Sequence, residues 1–340
     1  MRIPNKLIVC SVTAVVVSAT ALPAGAAAAE QLSGSGSTLA APLVAEWALA
    51  FQTLDRVKVD FTPTGSEAGI QAVSSRSVDF AASEAPMSAS QRAACHSCFQ
   101  IPWSLTAIGI GYNVHGVGSR LRLNGAVLAA IYQGQIKRWN DPQIQALNHG
   151  LRLPAVNITP IYANGSGDTY VFTSYLSGVS SKWRTSVGTG ATVSFPTGVA
   201  ATSNSLIISR LESTNGALAY AGASYLIAHG LPAAAVQNSA GNYEYPNLAN
   251  IESAAHAVNH VPSSDVVRVV NPPRSARIAY PVAALTYVIV PADSSHKSSL
   301  RRWILYGMGA GQEFGPALDF APLPPVIKRA ATAAVGRFSG

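Results

Sequence analysis

The sequence predicts an α/β protein of two lobes, each a mostly parallel sheet flanked by helices, with the chain crossing between them twice. Three observations carry this. Strand-like and helical stretches alternate from residue 32 to residue 82 in the order β-α-β-α-β, which a parallel sheet with helical crossovers satisfies. Two long apolar stretches, 101–114 and 278–290, leave that first unit and return to it. Gly/Ser-rich turns stand at three helix entrances, 34–39, 64–69 and 163–170. Two crossings imply lobes joined by a hinge, with a cleft between them in which a small solute binds.

The start of the chain reads as an address. Arg2 and Lys6 precede a largely apolar run at 7–17, and small residues follow at 22–29, so 1–29 is a secretory signal peptide, too short for a membrane span. Cys10 lies inside the apolar run behind Val9, a poor residue for a lipoprotein site. The leader takes two of the 23 Lys and Arg and none of the 16 Asp and Glu, which leaves the exported chain at +5. No Lys/Arg cluster suggests a nucleic-acid face. We expect a periplasmic or secreted monomer.

In order, 32–36 is a strand ending in the first glycine turn. Residues 41–54 are a helix with Leu43, Trp47, Ala50 and Phe51 on one face. A strand at 57–61, a helix at 66–74 and a buried-type strand at 78–82 complete the first unit. Its loops 34–39, 64–69 and 83–86 then lie beyond the carboxyl ends of the strands, where ligands bind in such sheets. Cys95-His96-Ser97-Cys98 follows a helix at 88–94. An exported protein makes a local disulfide of this pair by default; a redox-active Cys-x-x-Cys is the sharper alternative.

Short helices at 125–132 and 140–147 precede a strand at 156–162, the Gly-Ser-Gly turn and a helix continuing through 170–176. A helix at 203–212, a strand at 217–220 and a helical segment at 223–229 come next. His256 and His260 are four apart on an expected helix within 242–264. With no third ligand in view, we read a surface helix and no metal site. The chain ends in helical sequence at 298–335, broken by Pro322-Leu323-Pro324-Pro325. Lobe boundaries fall at 30–104 with 283–340, and at 105–282.

The Ala163-Asn164-Gly165-Ser166-Gly167-Asp168 turn is the organising stretch. The first N–H groups of its helix have no intrahelical partner and sit at the positive end of the macrodipole, so a small anion fits there. A glycine turn that merely caps the helix is the plain alternative. The recurrence of similar turns at 34–39 and 64–69 favours convergence on one ligand.

These stretches carry a resemblance. Gly34-Ser35-Gly36-Ser37-Thr38-Leu39-Ala40-Ala41-Pro42 is similar to the opening Gly-x-Gly-x-Thr-Phe-Pro-x-Pro of the periplasmic phosphate-binding proteins of bacterial phosphate ABC importers. Val78-Asp79-Phe80-Ala81-Ala82-Ser83-Glu84-Ala85-Pro86 looks like their Val-Asp-Phe-Gly-Ala-Ser-Asp-Ala-Pro. Ile131-Tyr132-Gln133-Gly134-Gln135-Ile136-Lys137-Arg138-Trp139-Asn140-Asp141 matches another of their blocks, as does Gly165-Ser166-Gly167 followed by Tyr170-Val171-Phe172-Thr173-Ser174-Tyr175-Leu176. The resemblance covers nearly the whole exported chain. It implies the class II periplasmic binding-protein fold, inorganic phosphate as ligand, an ABC permease and ATPase as partners, and no cofactor, metal or catalysis.

By position it implies a site of Thr38, Leu39, Ser66, Glu84, Ser166, Gly167 and Asp168. Hydroxyls come from Thr38, Ser66 and Ser166, and backbone N–H groups from both lobes. Glu84 stands where the family has the aspartate that accepts the phosphate's own O–H. The departures matter as much. The family's phosphate-pairing arginine falls on Tyr162, the aspartate that steadies it falls on Asn164, and a threonine falls on Asp168. A dianion beside two carboxylates in a drier cleft is disfavoured unless a proton or cation compensates. Asp168 either faces the cleft or points outward at its helix N-terminus. The same scaffold rebuilt for another oxyanion, or for a neutral or cationic solute, is therefore the competing expectation; a thiol oxidoreductase using Cys95 and Cys98 is a third.

Overall fold

The computed structural model describes residues 30–119 and 121–339; the expected signal peptide lies outside them. The first unit runs β1 (Gln31–Gly36), α1 (Ala41–Asp55), β2 (Lys58–Thr62), α2 (Ser66–Ser74), β3 (Phe80–Ser83) and α3 (Ala89–Cys95). β1 pairs in parallel with both β2 and β3, so the connections are helical crossovers as the alternation predicts. Ser88 and Gln91 form a reciprocal capping box at the start of α3, and that helix ends at a disulfide between Cys95 and Cys98.

The chain then enters β4 (Cys98–Asn113), β5 (Arg122–Leu123), α4 (Gly125–Tyr132), α5 (Pro142–Leu147), β6 (Thr159–Ala163), α6 (Gly167–Val179), α7 (Ser181–Ser186), β7 (Val199–Ala201), α8 (Asn204–Ser213), β8 (Ala217–Gly222), α9 (Ala223–Ala228), β9 (Ala235–Gln237), β10 (Tyr243–Glu244) and α10 (Leu248–His256). It returns through β11 (Ala283–Pro291) and closes with α11 (Lys297–Met308), two short 3-10 turns and α12 (Pro325–Ser339).

One eight-stranded sheet runs through both lobes in the order β2-β1-β3-β11-β4-β8-β6-β7. β4 makes this continuity. From Cys98 to Ala107 it pairs with β11, and from Ile108 to Asn113 with β8. The expected parallel pairing holds on the flanks, at β1–β2, β1–β3, β6–β7 and β6–β8. The central strands are antiparallel to their neighbours, because β4 carries the chain out of the first unit and β11 brings it back.

Each lobe is filled by aromatic rings. In the first, Trp47, Trp103, Trp303 and Phe80 meet edge-on or tilted, with Trp47 and Trp103 centroids 4.7 Å apart. Trp47 Nε1 donates to Gly311 O at 2.6 Å, which satisfies its one polar atom in the core. In the second, Phe172 stacks on Tyr220 at 4.3 Å and Tyr132 packs edge-on against Phe172. Each fully buried ring contributes roughly 1.5–3 kcal/mol of transfer free energy, so these clusters fix the strand ends that carry the cleft loops.

Two expectations need correction. The helix expected within 242–264 is realised only at Leu248–His256, where Asn247 accepts from Asn250 N at the cap. His260 lies beyond the helix end, so the two histidines do not share a helix face. The strand expected from residue 278 begins at Ala283, because Ala276 N and Ala279 N close turns on Pro273 O and Ala276 O just before it. Among the described residues no group of His, Cys, Asp and Glu is arranged to hold a metal, and no helix is long and apolar enough to cross a membrane.

Candidate functional site

The three Gly/Ser turns meet where the lobes touch. Gly36 and Gly165 take positive φ, 130° and 71°, which lets each strand turn sharply into the following segment. Gly65 N donates to Gly36 O at 2.8 Å and ties the first two turns together. The third turn arrives from the other lobe. Glu67 N donates to Gly165 O at 3.2 Å, and Thr192 Oγ1 donates to Glu67 Oε2 at 2.8 Å. Tyr225 OH donates to Thr38 O at 2.8 Å. These bonds hold the lobes closed.

Glu84 sits at the centre, 3 % exposed, at the carboxyl end of β3. Ser37 Oγ and Thr286 Oγ1 donate to its Oε1 at 2.5 and 2.9 Å, and Ser66 Oγ to its Oε2 at 3.2 Å. Burial raises its pKa above the usual carboxylate range, while the hydroxyls of Ser37, Thr286 and Ser66 pull it back by favouring the charged form. Gly167 lies against the same carboxylate. A methyl at position 167 would stand 2.1 Å from Glu84 Oε2 and 2.5 Å from Ser66 Oγ, so glycine is required for this approach.

Asp168 faces inward. It is 1 % exposed, and Asn204 Nδ2 donates to its Oδ2 at 2.6 Å. The outward orientation weighed above is not adopted, because Asn204 holds the carboxylate inside. The same Asn204 amide donates to Thr38 Oγ1 at 3.1 Å, and its carbonyl accepts from Gly222 N at 2.9 Å, so it clamps both lobes. Asp168 Oδ1 is buried and has no hydrogen-bond partner among the described residues. Burial, and then the Glu84 charge, push the Asp168 pKa up to about 7, against the Asn204 bond, which lowers it.

Thr38, Ser66, Glu84, Ser166, Gly167 and Asp168 are thus brought together, with Leu39 buried behind Thr38 and against Gly222. The N–H groups of Thr38, Leu39, Ser66 and Gly167 have no hydrogen-bond acceptor among the described residues. Ser166 Oγ caps α6 by accepting from Asp168 N at 3.1 Å. In this closed arrangement Glu84 fills the position between Ser66 and Gly167. A ligand that draws on those groups enters only with the lobes parted.

Tyr162 and Asn164 are placed elsewhere. The Tyr162 ring stacks on Phe195 with centroids 4.3 Å apart, and the Asn164 amide lies against the Val193 backbone. Ser37, Thr286, Asn204 and Tyr225 were not singled out in the sequence. Ser37 stood inside a motif already noted, and Asn204 at the start of an expected helix. Nothing local marks Thr286, which reaches Glu84 from 202 residues away.

The PBP superfamily domain matches residues 22–314. The phosphate-binding protein PstS of Haemophilus influenzae is 30% identical over 304 residues, covering 88% of this chain and 90% of its own. Phosphate-binding protein PstS2 of Mycobacterium bovis is 31% identical over 336 residues, covering 91% and 88%. Among solved structures, a periplasmic phosphate-binding protein, PfluDING, bound with phosphate, aligns with a TM-score of 0.71 at 20% identity over 89% of this chain and 93% of its own. At that identity it shows the fold, a two-lobed periplasmic binding-protein architecture.

Proposed function

The chain belongs to the PBP superfamily and to its PstS-type phosphate-binding proteins, and from that premise we propose that it captures inorganic phosphate between its lobes for ABC-type import, without catalysis. The observation that carries this is the convergence of Thr38, Ser66 and Glu84 from one lobe with Ser166, Gly167 and Asp168 from the other. Backbone N–H groups and hydroxyls supply donors for the unprotonated phosphate oxygens. Glu84 supplies an acceptor for a phosphate O–H. Sulfate is fully ionised at neutral pH, brings no donor and sets its charge against that carboxylate in a dehydrated site, at a cost of about 1–3 kcal/mol or more.

The wider reading is that of an exported protein, with 1–29 as its cleaved leader and a permease with its ATPase as partners. The lobe boundaries, 30–104 with 283–340 and 105–282, belong to the same proposal. They are supported by β4 changing partners between Ala107 and Ile108 and by β11 beginning at Ala283. One observation favours a second reading, a neutral or cationic solute on the same scaffold: two buried carboxylates face the cleft, and no Lys, Arg or His bonds to either among the described residues.

Calorimetric titration of phosphate into protein stripped of ligand tests the proposal. One phosphate bound per chain, with no binding of sulfate, is the expected result. No heat at millimolar phosphate, with a rise in melting temperature only for a neutral or cationic solute, selects the second reading instead.

A further inference from the structure

Asp168 belongs to the converging site, but phosphate capture has assigned its carboxylate no bond. It is buried, its Oδ1 lacks a donor, and it shares the cleft with Glu84. A buried carboxylate oxygen with no partner is costly, and a second carboxylate beside it raises that cost. The groups packed around Asp168 supply no compensating charge. Asn204 of α8 is neutral, and Tyr220 of β8 and Tyr225 of α9 are phenols whose ionisation burial and the Asp168 charge disfavour, so they stay neutral. Glu67 of α2 is held at the rim by Thr192. Arg184 and Arg268 line a cavity of about 400 Å³ together with Glu84, but neither bonds to a carboxylate of the cleft, and Arg184 donates to Ser177 O. The missing partner of Asp168 is therefore a donor brought by the ligand.

We propose that this chain takes phosphate as the dihydrogen monoanion, one O–H donating to Glu84 and the other to Asp168 Oδ1. This rests on the reading that phosphate is the ligand. The chemistry closes on atoms already named. Dihydrogen phosphate has two O–H donors and two unprotonated oxygens. The donors match two carboxylates, and the acceptors match the N–H groups of Thr38, Leu39, Ser66 and Gly167. Hydrogen phosphate dianion has one donor only. It leaves one buried carboxylate facing another anion. Above the second ionisation of phosphate and above the titration of Asp168, each binding event must therefore draw one proton from solvent. The proton ends on the bound phosphate, shared with the Asp168 carboxylate.

Linkage gives the sign and size. One proton taken up per ligand makes affinity fall about tenfold for each pH unit above roughly pH 7; below it the empty Asp168 holds a proton that the complex releases, so affinity passes through a maximum near pH 7. Calorimetry of phosphate at about pH 6 and about pH 8.5, in buffers of different ionisation enthalpy, reads both the affinity and the proton count. We expect about one proton taken up at the higher pH and about one released at the lower, where the empty Asp168 is protonated. Asp168→Asn offers a donor in place of an acceptor, so it should bind the dianion more tightly than wild type at about pH 8.5 and take up no proton. Phosphate binding with no proton uptake at about pH 8.5 overturns this inference and leaves phosphate capture standing. Absence of phosphate binding at either pH overturns both. The proton count on wild type decides the matter even where Asp168→Asn fails to fold.

Discussion

The two faces of the cleft are built on different principles. On the face formed by the ends of β1, β3 and β11, the carboxylate of Glu84 is already supplied with donors from Ser37, Ser66 and Thr286. On the face formed by α6 and α8, Asp168 has one donor, from Asn204, and one bare oxygen. Both faces keep residues that carry the family resemblance, 34–42 and 78–86 on the first and Gly165-Ser166-Gly167 on the second, but the first only lengthens the family's aspartate to Glu84 whereas the second places the extra carboxylate of Asp168. The comparison teaches that a satisfied buried carboxylate acts as a fixed acceptor, while an unsatisfied one sets what the ligand must bring.

That contrast can be broken from either side. The largest effect is expected at Glu84. Glu84→Gln should collapse the preference for phosphate over sulfate by at least about a hundredfold, because the amide offers a donor where the carboxylate offered none; competition titration reads it. Gly167→Ala should follow closely. Its methyl would meet Glu84 Oε2 and Ser66 Oγ, so the empty lobes cannot close on each other, and small-angle scattering should show the ligand-free variant expanded relative to ligand-free wild type.

A third change acts through pH. Asp168 has its pKa raised on folding, to about 7 from the ordinary carboxylate range. The folded chain therefore holds a proton that the unfolded chain has lost, and the penalty of charging Asp168 is absent at low pH and complete above about pH 7. Without ligand, the melting temperature should fall from about pH 5 to about pH 8. Asp168→Asn should flatten that slope and add about 2 kcal/mol or more at the higher pH. The smallest effect is expected at the disulfide. It closes only a short loop and lies outside the cleft, so Cys95→Ser with Cys98→Ser should cost about 2 kcal/mol of stability and leave phosphate affinity unchanged. Loss of binding there would return Cys95 and Cys98 to the functional account.

The sequence made the first unit readable because its elements are periodic and punctuated. The helix at 66–74 opens after Gly65 and carries Ile70 and Val73 inward, and it forms as expected. So does the helix at 125–132 behind the Asn124 cap. β5, β7, β9 and β10 were not legible, since two or three residues carry no period and exist only through their partners. The site divided the same way. Ser66, Glu84 and the Gly-Ser-Gly turn lie in local motifs, whereas Asn204 matters because it bridges Thr38 and Asp168 across 166 and 36 residues. Tyr162 shows the opposite case: its position in the motif suggested the cleft, and stacking on Phe195 draws it into the lobe.

The most direct measurement is a crystal structure of the protein grown with phosphate. The account predicts one tetrahedral ion between the lobes, within hydrogen-bond distance of Ser66, Gly167 N, Glu84 and Asp168 Oδ1. Lobes closed with Glu84 still wedged against Gly167, and the ion bound elsewhere or not at all, would contradict it.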